Sequence, residues 1–126
     1  MSTKFGWFRL LAILFLALML LGIFVGGRQH GAGSLFLDPW DKLVHLACYA
    51  TLTVMTAIAF PKLPLPILVV LIVSIGASDE IAQIYIPGRS ADIKDYAADV
   101  LGSLIALAPI YWLQNKFNYN TIGRSS

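Results

Sequence analysis

Long apolar runs separated by short polar breaks dominate this sequence of 126 residues. A helix needs roughly 20 apolar residues to cross the hydrocarbon core of a bilayer, and about 17 to 25 are tolerated. Four runs reach that length, and glycine or proline follows each of the first three. The pattern therefore predicts an all-α fold, an integral membrane bundle of four transmembrane helices, at about residues 6–25, 43–60, 65–86 and 95–112.

The composition supports a single membrane domain that spans residues 1–126. The chain is 58% apolar and 13% charged, whereas a soluble domain normally keeps about 25% charged residues to cover its surface. The first run has one alternative, a cleaved signal peptide, because Lys4 and Arg9 precede its leucines. We favour an uncleaved helix, because the run exceeds a usual signal sequence and no clear small-residue cleavage site follows it.

The polar residues exclude several classes of function. The basic residues are scattered singly, so the clustered Lys/Arg surface that nucleic acids require is absent from the sequence. Cys48 is the only cysteine, which excludes an internal disulfide and a zinc site of paired cysteines. The sequence also contains no G-x-S-x-G, H-E-x-x-H or P-loop motif. No cofactor is predicted from these patterns.

The charges also bear on topology. Four spans place both termini and the loop around Lys62 on one side of the membrane, with five Lys/Arg residues against four on the other side. This small excess favours cytoplasmic termini by the positive-inside rule. All the acidic residues fall on the opposite, extracytoplasmic side: Asp38, Asp41, Asp79, Glu80, Asp92, Asp95 and Asp99. That surface is where we expect the chemistry of the protein.

The start of the second helix carries a stripe of candidate residues. Asp41 and His45 are four residues apart and therefore share a helix face, which Cys48 and Tyr49 continue. A carboxylate one turn away can orient an imidazole as a proton carrier. The alternative is that His45 only forms a hydrogen bond to another helix and has no role in proton transfer. Lys42 is interpreted as an interfacial residue whose amine reaches toward water.

The third helix places a carboxylate at membrane depth. Glu80 and Gln83 share a face with Gly76 and Ala77, whose small side chains allow close helix packing. A carboxylate within the bilayer costs about 2.5 to 3.5 kcal/mol on insertion scales, so Glu80 is expected to face inward. Asp79, rotated by about 100° from it, is expected to be a solvated interfacial acid.

The fourth helix repeats this pattern, with one polar and small-residue stripe: Asp92, Asp95, Asp99, Gly102, Ser103 and Ala106. Asp92 has an alternative role as the cap of the helix start. Arg89, in the preceding turn, is the expected counter-ion of the acidic group, and its guanidinium could equally bind a phosphate or carboxylate of a ligand.

Two segments resemble the motifs of VanZ-like membrane proteins. They are DKLVHLACY, residues 41–49, and DEIAQIYIPGRSADIKDYAADVLG, residues 79–102, in the expected order and with the expected hydropathy. The resemblance marks Asp41, Lys42, His45, Tyr49, Glu80, Gln83, Gly88, Arg89, Asp92, Asp95 and Gly102. Asp99 departs from the pattern, because the family commonly carries Asn there. Whether that position acts as a carboxylate or as an amide-like partner is left open.

The resemblance implies an association with resistance to the antibiotic teicoplanin, without an established reaction. Our leading hypothesis is a multi-pass protein of the bacterial inner membrane, with a pocket that binds or acts on a cell-envelope molecule. Membrane lipid, a lipid-linked wall precursor or a glycopeptide antibiotic are the expected partners. The alternatives are a non-catalytic binding module and a structural module whose acidic and arginine residues lock the helices. Such interhelical bonds are worth under about 2 kcal/mol each.

The residues divide between two expected roles. In an enzyme, Glu80 or Asp95 would be the acid or base, with His45 as proton shuttle beside Asp41. The expected ligand-binding residues are Arg89, Gln83, Asp92, Asp99, Tyr49 and Lys42. A metal held by His45 and carboxylates is not predicted, because no second histidine stands four residues away.

Overall fold

The computed structural model describes residues 3–29 and 31–122, and within these ranges the side chains of residues 3–5, 33 and 117–122 are outside the description. About 80% of the chain is helical, and the described residues form no strand. Four α-helices make up the fold: α1 (Thr3–Phe24), α2 (Trp40–Ala59), α3 (Leu65–Gln83) and α4 (Ile93–Ile122). Two single-turn 3-10 helices, Gly26–Arg28 and Ala32–Ser34, lie in the connection between α1 and α2.

All four α-helices are long and apolar enough to cross a membrane, which confirms the predicted fold class. The bounds differ most for α4, which was expected to end near residue 112 and instead continues through Pro109 to Ile122. Proline is tolerated in membrane helices because neighbouring groups satisfy the freed carbonyl. α3 ends at Gln83, three residues earlier than expected, because the chain begins to turn there before Pro87.

The connection between α3 and α4 is set by local sequence. The N–H of Arg89 donates to the carbonyl of Ile86 at 3.1 Å, and Gly88 between them has φ +80°. These features describe a type II turn, which favours Pro at its second position and Gly at its third. Asp92 then caps α4, because its carboxylate accepts a hydrogen bond from the N–H of Lys94 at 2.8 Å. The capping alternative for Asp92 is therefore confirmed.

α2 is the central helix, packed against the other three, and α4 also packs against α3. Two glycines permit the closest approaches. A Cβ added to Gly102 would overlap the backbone carbonyl of Leu46, and one added to Gly76 would lie 3.1 Å from Asp99 Oδ2 and 3.3 Å from the Tyr49 ring. The small-residue faces predicted on α3 and α4 are therefore contact faces.

The polarity of the bundle suits a lipid solvent. Large apolar side chains on the outside are exposed, such as Phe8 (66%) and Val70 (66%), and so are Tyr111 and Trp112. The buried polar residues are Thr53, Thr56, Glu80, Gln83, Asp95, Asp99 and Ser103. This inside-out distribution places the acidic group within the protein.

α1 is joined to the bundle at two levels. Ala12 and Leu16 are buried and belong to the hydrophobic core, which also contains residues of α2 and α3. Near the end of the bundle that carries the N-terminus, the side-chain N–H of Arg9 donates to the carbonyl of Ala59 at 3.2 Å. A cation at that point complements the partial negative charge of the α2 C-terminus. The polar site lies at the other end.

Candidate functional site

A cavity of about 780 Å³ opens at the acidic end of the bundle. Its walls come from the end of α1, the α1–α2 connection, the start of α2, and the end of α3 with the turn to α4. Apolar side chains such as Ile23, Val44 and Ile86 line its sides. The charged and polar lining residues are Gln29, Ser34, Asp41, His45, Tyr49, Asp79, Gln83, Arg89, Ser90, Asp92 and Asp95.

An imidazole–carboxylate pair holds His45 in place. Its Nδ1 donates to Asp99 Oδ1 at 2.8 Å, and Asp99 is only 1% exposed. Its other nitrogen, Nε2, lies 3.8 Å from Asp95 Oδ2. The carboxylate expected to orient His45 was Asp41, but that side chain contacts Lys42 instead. The pairing is therefore between α2 and α4, and Asp99 is the residue that meets the imidazole.

Glu80 faces the interior, as the small residues of its helix face predict, and is 6% exposed. One of its oxygens, Oε2, accepts the backbone N–H of Asp92 at 2.8 Å. The amide of Gln83, which is also buried, lies 3.4 Å from the other oxygen and 3.3 Å from Asp79 Oδ2. Glu80 therefore ties the end of α3 to the start of α4, just behind the cavity lining.

Asp79 is placed differently from the expectation of a solvated acid. It is half-buried, lines the cavity, and has a carboxylate oxygen within 4.8 Å of ligand atoms of both His45 and Glu80. The reason is that the start of α2 lies beside the end of α3, so α2 covers the face of α3 that carries Asp79 as well as the face that carries Glu80. The adjacent acids of α3 thus meet the same imidazole.

Lys42 is the counter-ion of the acidic group, a role beyond that of the interfacial residue that the sequence predicts. Its Nζ lies 3.2 Å from Asp38, 3.2 Å from Asp41, 3.5 Å from Asp95 and 3.8 Å from Asp92. The side chain is 23% exposed. Asp38 and Lys42 are spaced as an i, i+4 pair, and that signal was available in the sequence.

Arg89 does not act as the expected counter-ion. Its guanidinium donates to the backbone carbonyl of Gly27, and it makes no ion pair within 4.0 Å with any described residue. The type II turn directs Arg89 toward the α1–α2 connection and away from the carboxylates. It therefore lines the cavity as a cation whose charge is not neutralised by direct contact.

The polar cluster consists of Asp41, Lys42, His45, Tyr49, Asp79, Glu80, Gln83, Asp92, Asp95 and Asp99. Some of its buried polar atoms have no hydrogen-bond partner among the described residues. They are the Tyr49 hydroxyl, Asp95 Oδ1 and Asp99 Oδ2. Asp95 Oδ1 has only the ion pair with Lys42 at 3.5 Å. Buried polar groups are rarely left unpaired, so each such group calls for an explanation such as a bound water, an ion or a task.

The comparisons with known proteins agree with the two sequence motifs. A family model described as VanZ/LLP1 matches residues 3–114. No curated protein and no solved structure matches the chain. The matched range includes the whole of α1 to α3, most of α4 and every residue of the polar cluster. The chain therefore belongs to the VanZ/LLP1 family and is a multi-pass membrane protein.

Proposed function

We propose that this protein binds the polar head group of an amphipathic cell-envelope molecule in the cavity at the acidic end of the bundle. The proposal rests on one observation, a cavity with apolar sides and charged lining residues at the ends of membrane-spanning helices. An amphiphile has matching parts, because its chain belongs in lipid and its head at the surface. The membrane is a bacterial inner membrane, and the cavity faces its extracytoplasmic side.

The size and lining of the cavity favour such a ligand. Small-molecule sites are usually clefts of about 300 to 1,000 Å³ with mostly apolar walls and a few placed polar groups, and this cavity has about 780 Å³. Arg89 suits a phosphate of a lipid-linked molecule because guanidinium binds phosphate with paired hydrogen bonds. Asp79 and Asp95 suit hydroxyl or amine donors of its head group. The family's association with teicoplanin makes lipid-linked wall precursors the first ligands to test.

Two glycines of α1 provide a matched test. Gly22 lines the cavity, Gly6 lies far from it, and an added Cβ at either meets no other atom within 4 Å. Gly22→Leu therefore fills the cavity without a backbone clash, and Gly6→Leu makes the same change elsewhere on the helix. Native mass spectrometry of the purified protein with a lipid-linked wall precursor should show one saturable site in wild type and Gly6→Leu, and loss of that site in Gly22→Leu.

Other outcomes would count against the proposal. Equal binding by the two glycine variants would place the ligand outside the cavity. Absence of saturable binding across wall precursors, phospholipids and teicoplanin would favour the structural alternative, in which the polar cluster only holds the helices together.

The His45–Asp99 pair favours a second candidate function, acid–base catalysis on the bound head group. A buried carboxylate on Nδ1 fixes the tautomer and leaves Nε2 free to exchange a proton. In that case the purified protein would convert the precursor into a product. Binding by wild type without turnover would remove this candidate and leave the binding proposal intact.

A further inference from the structure

We infer that the cluster at the cavity binds one divalent transition-metal ion, through His45 Nε2 and the carboxylates of Asp79 and Glu80, with Asp95 next to them on α4. The ligands come from α2 and α3, which explains why local sequence spacing does not predict them. His45 and Asp79 also line the cavity, but the ion site is tested with ions alone and without any lipid, so its failure is distinguishable from failure of the proposed lipid binding.

The distances are close to those of a coordination shell. One ligand atom each from His45, Asp79 and Glu80 lies within 4.8 Å of the other two. Ligands bonded to one ion at about 2.1 Å are at most about 4.2 Å apart, so shifts of under about 1 Å close the shell. Asp95 Oδ2 lies next to this group of three, at 3.8 Å from His45 Nε2.

The surroundings of these ligands are those of a metal site. A metal-binding histidine almost always donates its other ring N–H to a carboxylate, carbonyl or water, and His45 Nδ1 donates to Asp99 at 2.8 Å. Gln83 lies within hydrogen-bond distance of both Asp79 and Glu80 and orients the two carboxylates. These contacts position the ligands before any ion arrives.

A buried side chain without a hydrogen-bond partner gives independent support. Asp95 is 8% exposed, and its Oδ1 accepts no hydrogen bond among the described residues. Its other oxygen points toward His45 Nε2. An ion at His45 Nε2 would bring a positive charge to Oδ2 of this desolvated carboxylate, which pairs with Lys42 only through Oδ1 at 3.5 Å.

The donor set indicates the class of ion. Imidazole suits zinc, iron, copper and nickel, whereas carboxylates suit magnesium, calcium and manganese. One imidazole with two carboxylates therefore favours Zn²⁺, Fe²⁺ or Mn²⁺ over an ion that prefers oxygen alone. An ion on Nε2 excludes proton transfer through that nitrogen, so the metal site and the acid–base candidate are alternatives for His45.

Direct titration tests the inference. The full chain is purified in detergent, stripped with EDTA, and dialysed against Zn²⁺ or Mn²⁺ separately, with elemental analysis of the bound ion. We expect one ion per chain. His45→Gln and Glu80→Gln should each weaken binding at least about 100-fold, beyond the 10- to 100-fold typical of losing an outer hydrogen bond. Asp38→Asn removes the same charge at a side chain that is 70% exposed, and should bind normally.

A second measurement keeps the proposed ligands intact, so it tests the site even if the ligand variants fail to fold. In a His30→Gln chain, His45 is the only histidine, so imidazole nitrogen coupling in the electron paramagnetic resonance spectrum of bound Mn²⁺ must come from it. Such coupling would support the site. Absence of that coupling, absence of saturable binding for both ions, or wild-type affinity in folded His45→Gln would overturn it.

Discussion

At the scale of single residues, the side chains of Glu80 and Lys42 hold the polar cluster together. The carboxylate of Glu80 accepts the N–H of Asp92, one of the free N–H groups at the start of α4. Lys42 lies among four carboxylates that would otherwise repel one another. Both side chains therefore have a structural task besides any role toward a ligand.

The bond from Asp92 to Glu80 gives a prediction about stability. Glu80→Leu leaves a partly buried N–H without an acceptor, which costs about 1 to 3 kcal/mol. Glu80→Gln keeps a carbonyl oxygen that can accept that N–H, so it should lower the free energy of unfolding by less than Glu80→Leu does. The free energy of unfolding in mixed micelles measures the effect of both substitutions, with Ser78→Ala, at an exposed position two residues away on the same helix, as the control. Equal losses in Leu and Gln variants would show that the hydrogen bond does not matter.

The residue pairs show what sequence alone could predict. Glu80 and Asp99 could be assigned to inward faces, because glycine and alanine share those faces at helical spacing. The pairing of His45 with Asp99 and the inclusion of Asp79 could not, because they depend on where α2 crosses the ends of α3 and α4. Residues on different helices have no fixed spacing along the chain, so no pattern within one helix encodes their distance.

At the scale of elements, the contact between α2 and α4 positions the site. It carries the His45–Asp99 bond, and it is close because Gly102 faces the backbone of Leu46. The four helices themselves could be predicted from the length of the apolar runs. The residues at which the helices end were less predictable. The greatest error was in α4, because the aromatic and polar residues after its apolar run are typical of the membrane surface, although the helix continues through them.

Gly102 provides a prediction at this scale. Gly102→Ala places a methyl group against the backbone of Leu46. Because backbone atoms cannot move aside by changing rotamer, α2 and α4 must separate. We expect a loss near the upper end of the range of about 1 to 3 kcal/mol that overpacking costs. The control is Gly6→Ala, where the added methyl meets nothing within 4 Å. Wild-type unfolding free energy for Gly102→Ala would contradict the close packing of α2 on α4.

The turn between α3 and α4 is coupled to the α1–α2 connection through Arg89. Because its guanidinium holds the carbonyl of Gly27, Arg89→Ala should release the neighbouring 3-10 helix. A hydrogen bond from a charged donor is worth about 1.5 kcal/mol or more, so hydrogen exchange at Arg28 and Gln29 should rise about tenfold. Lys94→Ala, an exposed cation nearby, should leave exchange unchanged. Unaltered exchange in Arg89→Ala would show that the connection is held by other contacts.

At the scale of the whole molecule, the distribution of charge gives the protein two unlike ends. Every acidic residue lies on one side of the bundle, and the start of α1 and the end of α4 lie toward the other. The excess of Lys/Arg on the side of the termini is only one residue, so the orientation has to be measured. Its outcome decides which membrane surface presents the cavity.

Reporter fusions measure that orientation. Fusions after residues 33, 62, 90 and 126 should report outside, inside, outside and inside, because four spans alternate and the positive-inside rule predicts cytoplasmic termini. Both connections that border the cavity are sampled by the fusions after residues 33 and 90. A cytoplasmic signal at both would place the cavity on the inner surface and redirect the search for its ligand.

The central claim is that the polar cluster serves a ligand and is more than a lock between helices. The most direct measurement is binding of a lipid-linked wall precursor beside thermal stability for His45→Gln, in which a polar side chain remains to meet Asp99. A structural lock loses stability when one partner of a buried pair is removed. We predict that His45→Gln inserts at wild-type abundance with a small change in Tm and loses binding. Binding that persists in His45→Gln, or that falls only in step with Tm and abundance, would contradict the claim.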